Sequence, residues 1–194
     1  VLFGASNLSG DINVSTASGV TTLSRNKMYI SDVAVGDLDG DGYDDLIIAD
    51  PANGSLEQNT LPKDNGESPN GGVYVVLGSN SWPTAVDLNS ESDMTILRNG
   101  GDDLYYVICV ATGDVNGDGK DDLIMGAPRE DNPAVGPDSL TGRVYVIYGG
   151  DLLPPPGNVE IDTEKDVLIY GAQQNDQIGG DWSVTEAYSD SALA

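Results

Sequence analysis

Nine residues, Asp37-Leu38-Asp39-Gly40-Asp41-Gly42-Tyr43-Asp44-Asp45, return 77 positions later as Asp114-Val115-Asn116-Gly117-Asp118-Gly119-Lys120-Asp121-Asp122. Each copy carries a side-chain oxygen at positions 1, 3, 5 and 9. Each has Gly at position 6, where a chain wrapping an ion turns sharply and needs φ > 0. Hard cations such as Ca²⁺ collect about six to eight oxygens from carboxylates, amides and backbone carbonyls. The expected ligand sets are Asp37, Asp39, Asp41, the Tyr43 carbonyl and Asp45, and Asp114, Asn116, Asp118, the Lys120 carbonyl and Asp122, giving two Ca²⁺ sites. The plainer alternative is a solvated acidic turn, since Asp and Gly are common turn residues. Recurrence in matched surroundings argues against it. So does the repulsion between carboxylates this closely spaced without an ion. A helix–loop–helix calcium site fits less well, because it wants Glu at position 12, where this chain has Ile48 and Met125. Both loops run instead into β-type segments.

The surroundings repeat with the loops. Tyr29 to Gly36 precedes the first loop as Tyr106 to Gly113 precedes the second, and Leu46 to Pro51 follows as Leu123 to Pro128 does. A polar stretch comes next in each. Then come Gly72-Val73-Tyr74-Val75-Val76-Leu77-Gly78 and Gly142-Arg143-Val144-Tyr145-Val146-Ile147-Tyr148-Gly149, and last Met94 to Leu97 and Val167 to Tyr170. Four short β-rich runs per unit, bounded by Gly, Pro, Asn and Asp, are the sequence sign of propeller blades. The expected fold is all-β, with four-stranded antiparallel blades, two complete and two partial. Residues 1–28 supply third and fourth strands of a partial blade. Residues 29–105 form one blade with the loop 37–45, and residues 106–177 a second with the loop 114–122. Residues 178–194 begin a partial terminal blade whose own loop, from Glu186, is degenerate and metal-free. No amphipathic helix is evident. Pro154-Pro155-Pro156 reads as a stiff extended connector.

These motifs resemble the FG-GAP repeat family, the units of integrin α-subunit propellers. The most specific elements are the two acidic loops, Gly126-Ala127-Pro128 and the Val-Tyr-Val strands. There are departures: Tyr29-Ile30, Tyr106-Val107 and Ile178-Gly179 stand where the family has Phe-Gly, and Ala49-Asp50-Pro51 where it has Gly-Ala-Pro. The resemblance implies Ca²⁺ between the first and second strands of each blade. It names no partner, since one scaffold serves many functions. A closed propeller takes about four to eight blades, so this chain is an incomplete ring by itself. Either it is a piece of a larger propeller or its open strand edges are completed by another copy or another repeat-bearing chain, head to tail, as a ring or filament.

Charge and composition narrow the function. The formal net charge is −24, from 32 acidic and 8 basic residues. Nucleic-acid binding needs clustered Lys and Arg and is excluded as an expectation. No apolar stretch reaches the length of a membrane span. The chain begins with Val1, as after removal of an export signal or in a fragment. A secreted or cell-surface setting suits loops that fill at extracellular calcium levels. There is no His, the commonest general base, and no Ser sits in a Gly-x-Ser-x-Gly elbow. The clustered carboxylates belong to the loops, so no catalytic residue is assigned.

Three functions stay open: a non-catalytic, structural or adhesive calcium-binding module; the propeller part of a larger secreted hydrolase; and a module that binds a surface protein or glycan. Asn7, Asn13 and Asn53 head N-glycosylation sequons. The stretches 53–70 and 129–141 read as surface loops, and Arg129-Glu130-Asp131 within the second as solvated charge. Trp82 and Trp182 suit blade packing better than sugar stacking. Tyr74, Tyr145 and Tyr148 suit the sheets, and the lone Cys109 a small buried hydrophobe.

Overall fold

The computed structural model describes residues 21–24, 30–51, 72–97, 107–150 and 157–180. Their strands are β1 (Thr22–Ser24), β2 (Asp32–Gly36), β3 (Asp45–Asp50), β4 (Gly72–Val76), β5 (Ala85–Asp87), β6 (Met94–Leu97), β7 (Cys109–Gly113), β8 (Asp122–Ala127), β9 (Arg143–Ile147), β10 (Gly157–Glu160) and β11 (Val167–Tyr170). Two single helical turns, α1 (Leu88–Glu91) and α2 (Ile161–Glu164), follow β5 and β10. These turns are the helices the sequence reading lacked. They are too short to show a period, and each is set by an acid at its N-cap. Asp87 accepts from the Asn89 N–H at 3.0 Å, and Glu160 from the Asp162 N–H at 3.2 Å.

Two antiparallel meanders, β2-β3-β4-β6 and β7-β8-β9-β11, form the blades. Their registers correspond: Ile48 lies opposite Tyr74 as Met125 lies opposite Tyr145. The all-β fold of four-stranded propeller sheets is thus as the repeats predict, and among the described residues the sheets do not close a ring. β3 is buried along its whole length. Its residues therefore read as a continuous apolar run rather than an alternation, because both faces of the sheet are covered. Ile47, Ala49, Val73, Val75, Met94 and Ile96 turn one face of the first blade toward Leu123, Met125, Ala127, Tyr145 and Ile147 of the second, and together they make the main core. The opposite face of the first blade, with Leu46, Ile48, Tyr74 and Val76, packs on Val86, Leu88, Leu23 and Trp82. Trp82 and Tyr145 thus serve packing. Trp182 lies outside the described residues.

The sheets also contain an arrangement that the four-strand pattern does not show. β10 adds to the outer strand of the first blade, so that sheet has five strands. The pairing is parallel, with Val159 opposite Ile96. β5 adds in the same way to β1, with Val86 opposite Leu23. Each is a short segment in the connection between third and fourth strands, reaching back to the unit before it. Apolar anchors hold it down: Val86, Leu88, Val159 and Ile161 are buried.

Two further expectations are corrected. Cys109 is half-buried, since it starts the edge strand β7 rather than occupying its middle. Glu130 is not solvated. It is buried beneath the loop 129–141, accepts a hydrogen bond from the Tyr145 hydroxyl at 2.6 Å and pairs with Arg143 at 3.1 Å. Asp131 beside it accepts from the Asp138 and Leu140 N–H groups and from Ser139. That stretch is a tied-down loop rather than free decoration. Residues 53–70, and with them Asn53, lie outside the described residues, as do Asn7, Asn13, Pro154-Pro155-Pro156 and the segment from Glu186.

Candidate metal centre

Each acidic nonapeptide joins the first strand of a blade to its second, β2 to β3 and β7 to β8. The loop has to reverse within a few residues, and glycines make that possible. Gly42 and Gly119 have φ of 91° each, as position 6 requires. Gly40 and Gly117, at position 4, also have left-handed φ, 79° and 82°. This second need was missed in the sequence, although Gly recurs at position 4 as faithfully as at position 6.

Position 1 organises the bend. Asp37 Oδ1 accepts from the N–H groups of Gly40 at 2.8 Å and Asp41 at 3.0 Å, and Oδ2 accepts from Gly42 at 2.9 Å. Asp114 repeats this with Gly117 at 2.6 Å, Asp118 at 3.1 Å and Gly119 at 2.9 Å. Position 3 accepts from the N–H of position 5: Asp39 from Asp41 at 3.0 Å, Asn116 from Asp118 at 2.8 Å. Position 5 accepts from position 7, Asp41 from Tyr43 and Asp118 from Lys120. The carboxylates thus order the backbone while keeping lone pairs free.

Position 9 anchors the bend to the core. Asp45 has no exposed surface. Its Oδ2 accepts from Leu38 N–H at 2.8 Å and its Oδ1 from Gly78 N–H at 2.7 Å. Burial pushes its carboxyl up to about 6. The two hydrogen bonds oppose the rise, and the neighbouring Asp39 and Asp37 add to it. Asp122, also fully buried, accepts from Val115 N–H at 2.8 Å and Gly149 N–H at 2.9 Å.

In the first loop Asp37, Asp39 and Asp45 each bring a carboxylate oxygen within 4.8 Å of the others. Asp41 is not part of that triple. Three carboxylates so close, one of them buried with a raised pKa, form an all-acid donor set. All the donors are hard oxygens, which suits a hard cation and not a thiolate-loving one. In the second loop Asn116 replaces an acid. Its Nδ2 donates to Asp118 Oδ2 at 3.0 Å and Asp122 Oδ1 at 3.4 Å, so the amide already relieves part of the repulsion. At position 7, the Tyr43 and Lys120 N–H groups donate to Asp41 and Asp118.

The loops touch. Asp121 Oδ2 accepts from the Asp37 N–H at 3.1 Å, and the Asp121 N–H donates to the Asp37 carbonyl at 3.0 Å. Gly150 N–H donates to the Leu38 carbonyl at 2.6 Å. A methyl group at Gly149 would land on the Asp121 carbonyl oxygen. The Lys120 stem lies across Gly40, closer than a Cβ there would tolerate.

The sequence matches the FG-GAP repeat family over residues 29–76 and 110–147. Phosphatidylinositol-glycan-specific phospholipase D of Dictyostelium discoideum is 32% identical over 186 residues, 88% of this chain and 18% of that protein. The Rattus norvegicus protein of the same name is 36% identical over 81 residues, 42% of this chain and 9% of its own length. Integrin alpha-PS2 of Drosophila melanogaster is 32% identical over 123 residues, 61% of this chain and 7% of that protein. The chain therefore spans less than a fifth of the length of these relatives. Among the described residues no helix is long and apolar enough to cross a membrane.

Proposed function

Because this chain is built from FG-GAP repeats, which are β-propeller repeats, we propose that it is a non-catalytic propeller module stapled by one Ca²⁺ in each of the two loops. The observation that carries the reading is the triple of Asp37, Asp39 and Asp45 within 4.8 Å. Asp37, Asp39, Asp41, Asp45 and the Tyr43 carbonyl would hold the first ion. Asp114, Asn116, Asp118, Asp122 and the Lys120 carbonyl would hold the second. The ion supplies charge neutralisation and rigidity, not chemistry on a substrate. The first loop has one more carboxylate, and affinity follows ligand charge, so it is the tighter site. Calorimetric titration of the chelated protein tests this. Two sites of unequal affinity are expected, with Asp39→Asn weakening the tighter one. A titration without heat or protein stabilisation would refute it.

A second reading concerns context, and the phospholipase D relatives favour it. The module would sit in a longer secreted or cell-surface protein beside a catalytic domain for a phosphatidylinositol-glycan, which it supports without contributing a catalytic residue. The integrin-like relative supports an adhesive alternative. Assay of the isolated 194-residue chain against such a glycolipid separates the roles. Turnover by the chain alone would overturn the non-catalytic assignment.

A further inference from the structure

Asn116 in the second bend is followed by Gly117, and among the described residues no other asparagine precedes a glycine. The side-chain amide of such a pair is open to attack by the next main-chain nitrogen, because glycine has no Cβ to hinder a close approach. Both residues are exposed, and a Cβ at Gly117 would meet nothing within 4 Å, so water reaches this peptide. The matched pair of the first bend is Asp39-Gly40. At position 3 the two bends therefore differ by an amide in place of an acid.

The contacts of the second bend place the groups that such an attack needs. Asn116 Oδ1 accepts from the Asp118 N–H at 2.8 Å. A side-chain oxygen bonded to the main chain two residues on closes a turn-like ring, and across that ring Asn116 Cγ faces the Gly117 nitrogen. The Gly117 N–H donates to Asp114 Oδ1 at 2.6 Å, within reach of a general base. Negative charge grows on Oδ1 during the attack, and the Asp118 N–H already stands there at the distance of an oxyanion donor. Nδ2, the leaving group, is held by Asp118 Oδ2 at 3.0 Å and Asp122 Oδ1 at 3.4 Å. The first bend shows that an acid fits this place. Asp39 accepts from the Asp41 N–H at 3.0 Å, and the Gly40 N–H donates to Asp37 Oδ1 at 2.8 Å.

We propose that Asn116 is a self-modification site, which the bend converts to aspartate by deamidation. Asp114 Oδ1 takes the Gly117 amide proton as the nitrogen attacks Asn116 Cγ. The Cγ–Nδ2 bond breaks, and Nδ2 leaves as ammonia with that proton. One water then opens the cyclic imide at Cγ, which the Asp118 N–H keeps polarised. The bond from Cγ to the Gly117 nitrogen breaks, that nitrogen regains a proton, and the new carboxyl gives its own to ammonia. Asparagine and water thus become aspartate and ammonium, with nothing oxidised or reduced. Opening at Cγ, and not at the main-chain carbonyl of Asn116, keeps the backbone path unchanged. The Ca²⁺ reading adds a consequence: the second bend then holds as many carboxylates as the first, and affinity follows ligand charge. The covalent step itself does not depend on that reading.

The test ages the full chain in mildly alkaline buffer with chelator, so that metal binding plays no part, beside a synthetic peptide of residues 112–122. Peptide mapping by mass spectrometry should show the mass gain of amide-to-acid exchange at Asn116. In the folded chain the main product should coelute with the fragment from Asn116→Asp. Isoaspartate, scored with isoaspartyl methyltransferase, should be the minor product there and the major one in the peptide, which lacks the ordered Asp118 N–H. Asp114→Asn should slow the conversion by about a hundredfold, the low end of general-base catalysis. Product identity is read on the unsubstituted chain, so it stands whether or not that variant keeps the bend. An Asn116 still unconverted in the chain once the peptide has reacted would overturn the proposal. So would isoaspartate as the main product of the folded chain, or an undiminished rate in Asp114→Asn.

Discussion

Replacing Asp45 by Asn separates the two jobs of the buried acid. The carboxyl is raised from 3.8 to about 6. Roughly two pKa units at 1.36 kcal/mol each put about 3 kcal/mol against the folded state at neutral pH when no cation is near. The amide removes that penalty. It also turns one of two acceptors into a donor, leaving the Leu38 or Gly78 N–H unmatched in a buried place, at about 1–3 kcal/mol. The effects nearly cancel, so in chelator the variant should melt within a few degrees of the parent. Calcium breaks the symmetry. An ion at a hundred times its Kd adds about 2.7 kcal/mol per site. At about 2–4 °C per kcal/mol for a chain of this size, that is about 5–11 °C. The parent should gain from two ions and Asp45→Asn from one. Differential scanning calorimetry with and without calcium gives all four numbers. An undiminished calcium shift in the variant would refute the ligand role of Asp45, and a large loss of stability in chelator would refute the cancellation.

In chelator, acidification from pH 7.5 toward 5 should raise the melting temperature. The folded pKa of Asp45 lies above the unfolded one, so its unfavourable contribution is full above about 6 and fades as the group protonates; a Tm that falls over this range refutes it. Asp131 behaves oppositely: burial raises its pKa, but the Leu140 and Asp138 N–H groups and Ser139 outweigh that and leave it lowered. Its stabilisation is present above the unfolded carboxylate value and should be lost as pH falls through the folded one, read as earlier proteolysis of the loop 129–141 in acid. Arg143→Ala removes the guanidinium that pairs with buried Glu130 and leaves its charge to the Tyr145 hydroxyl, and should cost about 3–5 kcal/mol in urea unfolding. Gly149→Ala pushes a methyl into the Asp121 carbonyl where the blades meet and should cost about 1–3 kcal/mol by the same assay.

The repeat was legible because its signals are local. Gly, Asp and apolar runs at fixed offsets predict strands and bends without knowledge of their neighbours, and β2 to β4 and β7 to β9 follow them. The parallel additions escaped for a physical reason. Val86-Asp87-Leu88 is too short to show a period, and the strand it meets is in another unit. Its recurrence at Val159-Glu160-Ile161 was nonetheless written in the sequence. Glu130 was misread because an acid flanked by Arg129 and Asp131 looks like surface charge, whereas the partner that buries it, Arg143, stands across a loop. The candidate residues of the loops could be named one by one from the sequence, but their spatial grouping could not: Asp41 is not in the triple that Asp37, Asp39 and Asp45 form.

Asp44 and Asp121 occupy the same eighth place in the two bends. Asp121 grips the main chain of the bend before it, while Asp44 stands exposed at the other end of the row. An acid at the eighth place is thus the hook of a fastener whose eye is the main chain of the neighbouring bend. A unit that keeps this acid could be added by gene duplication without a new seam being invented.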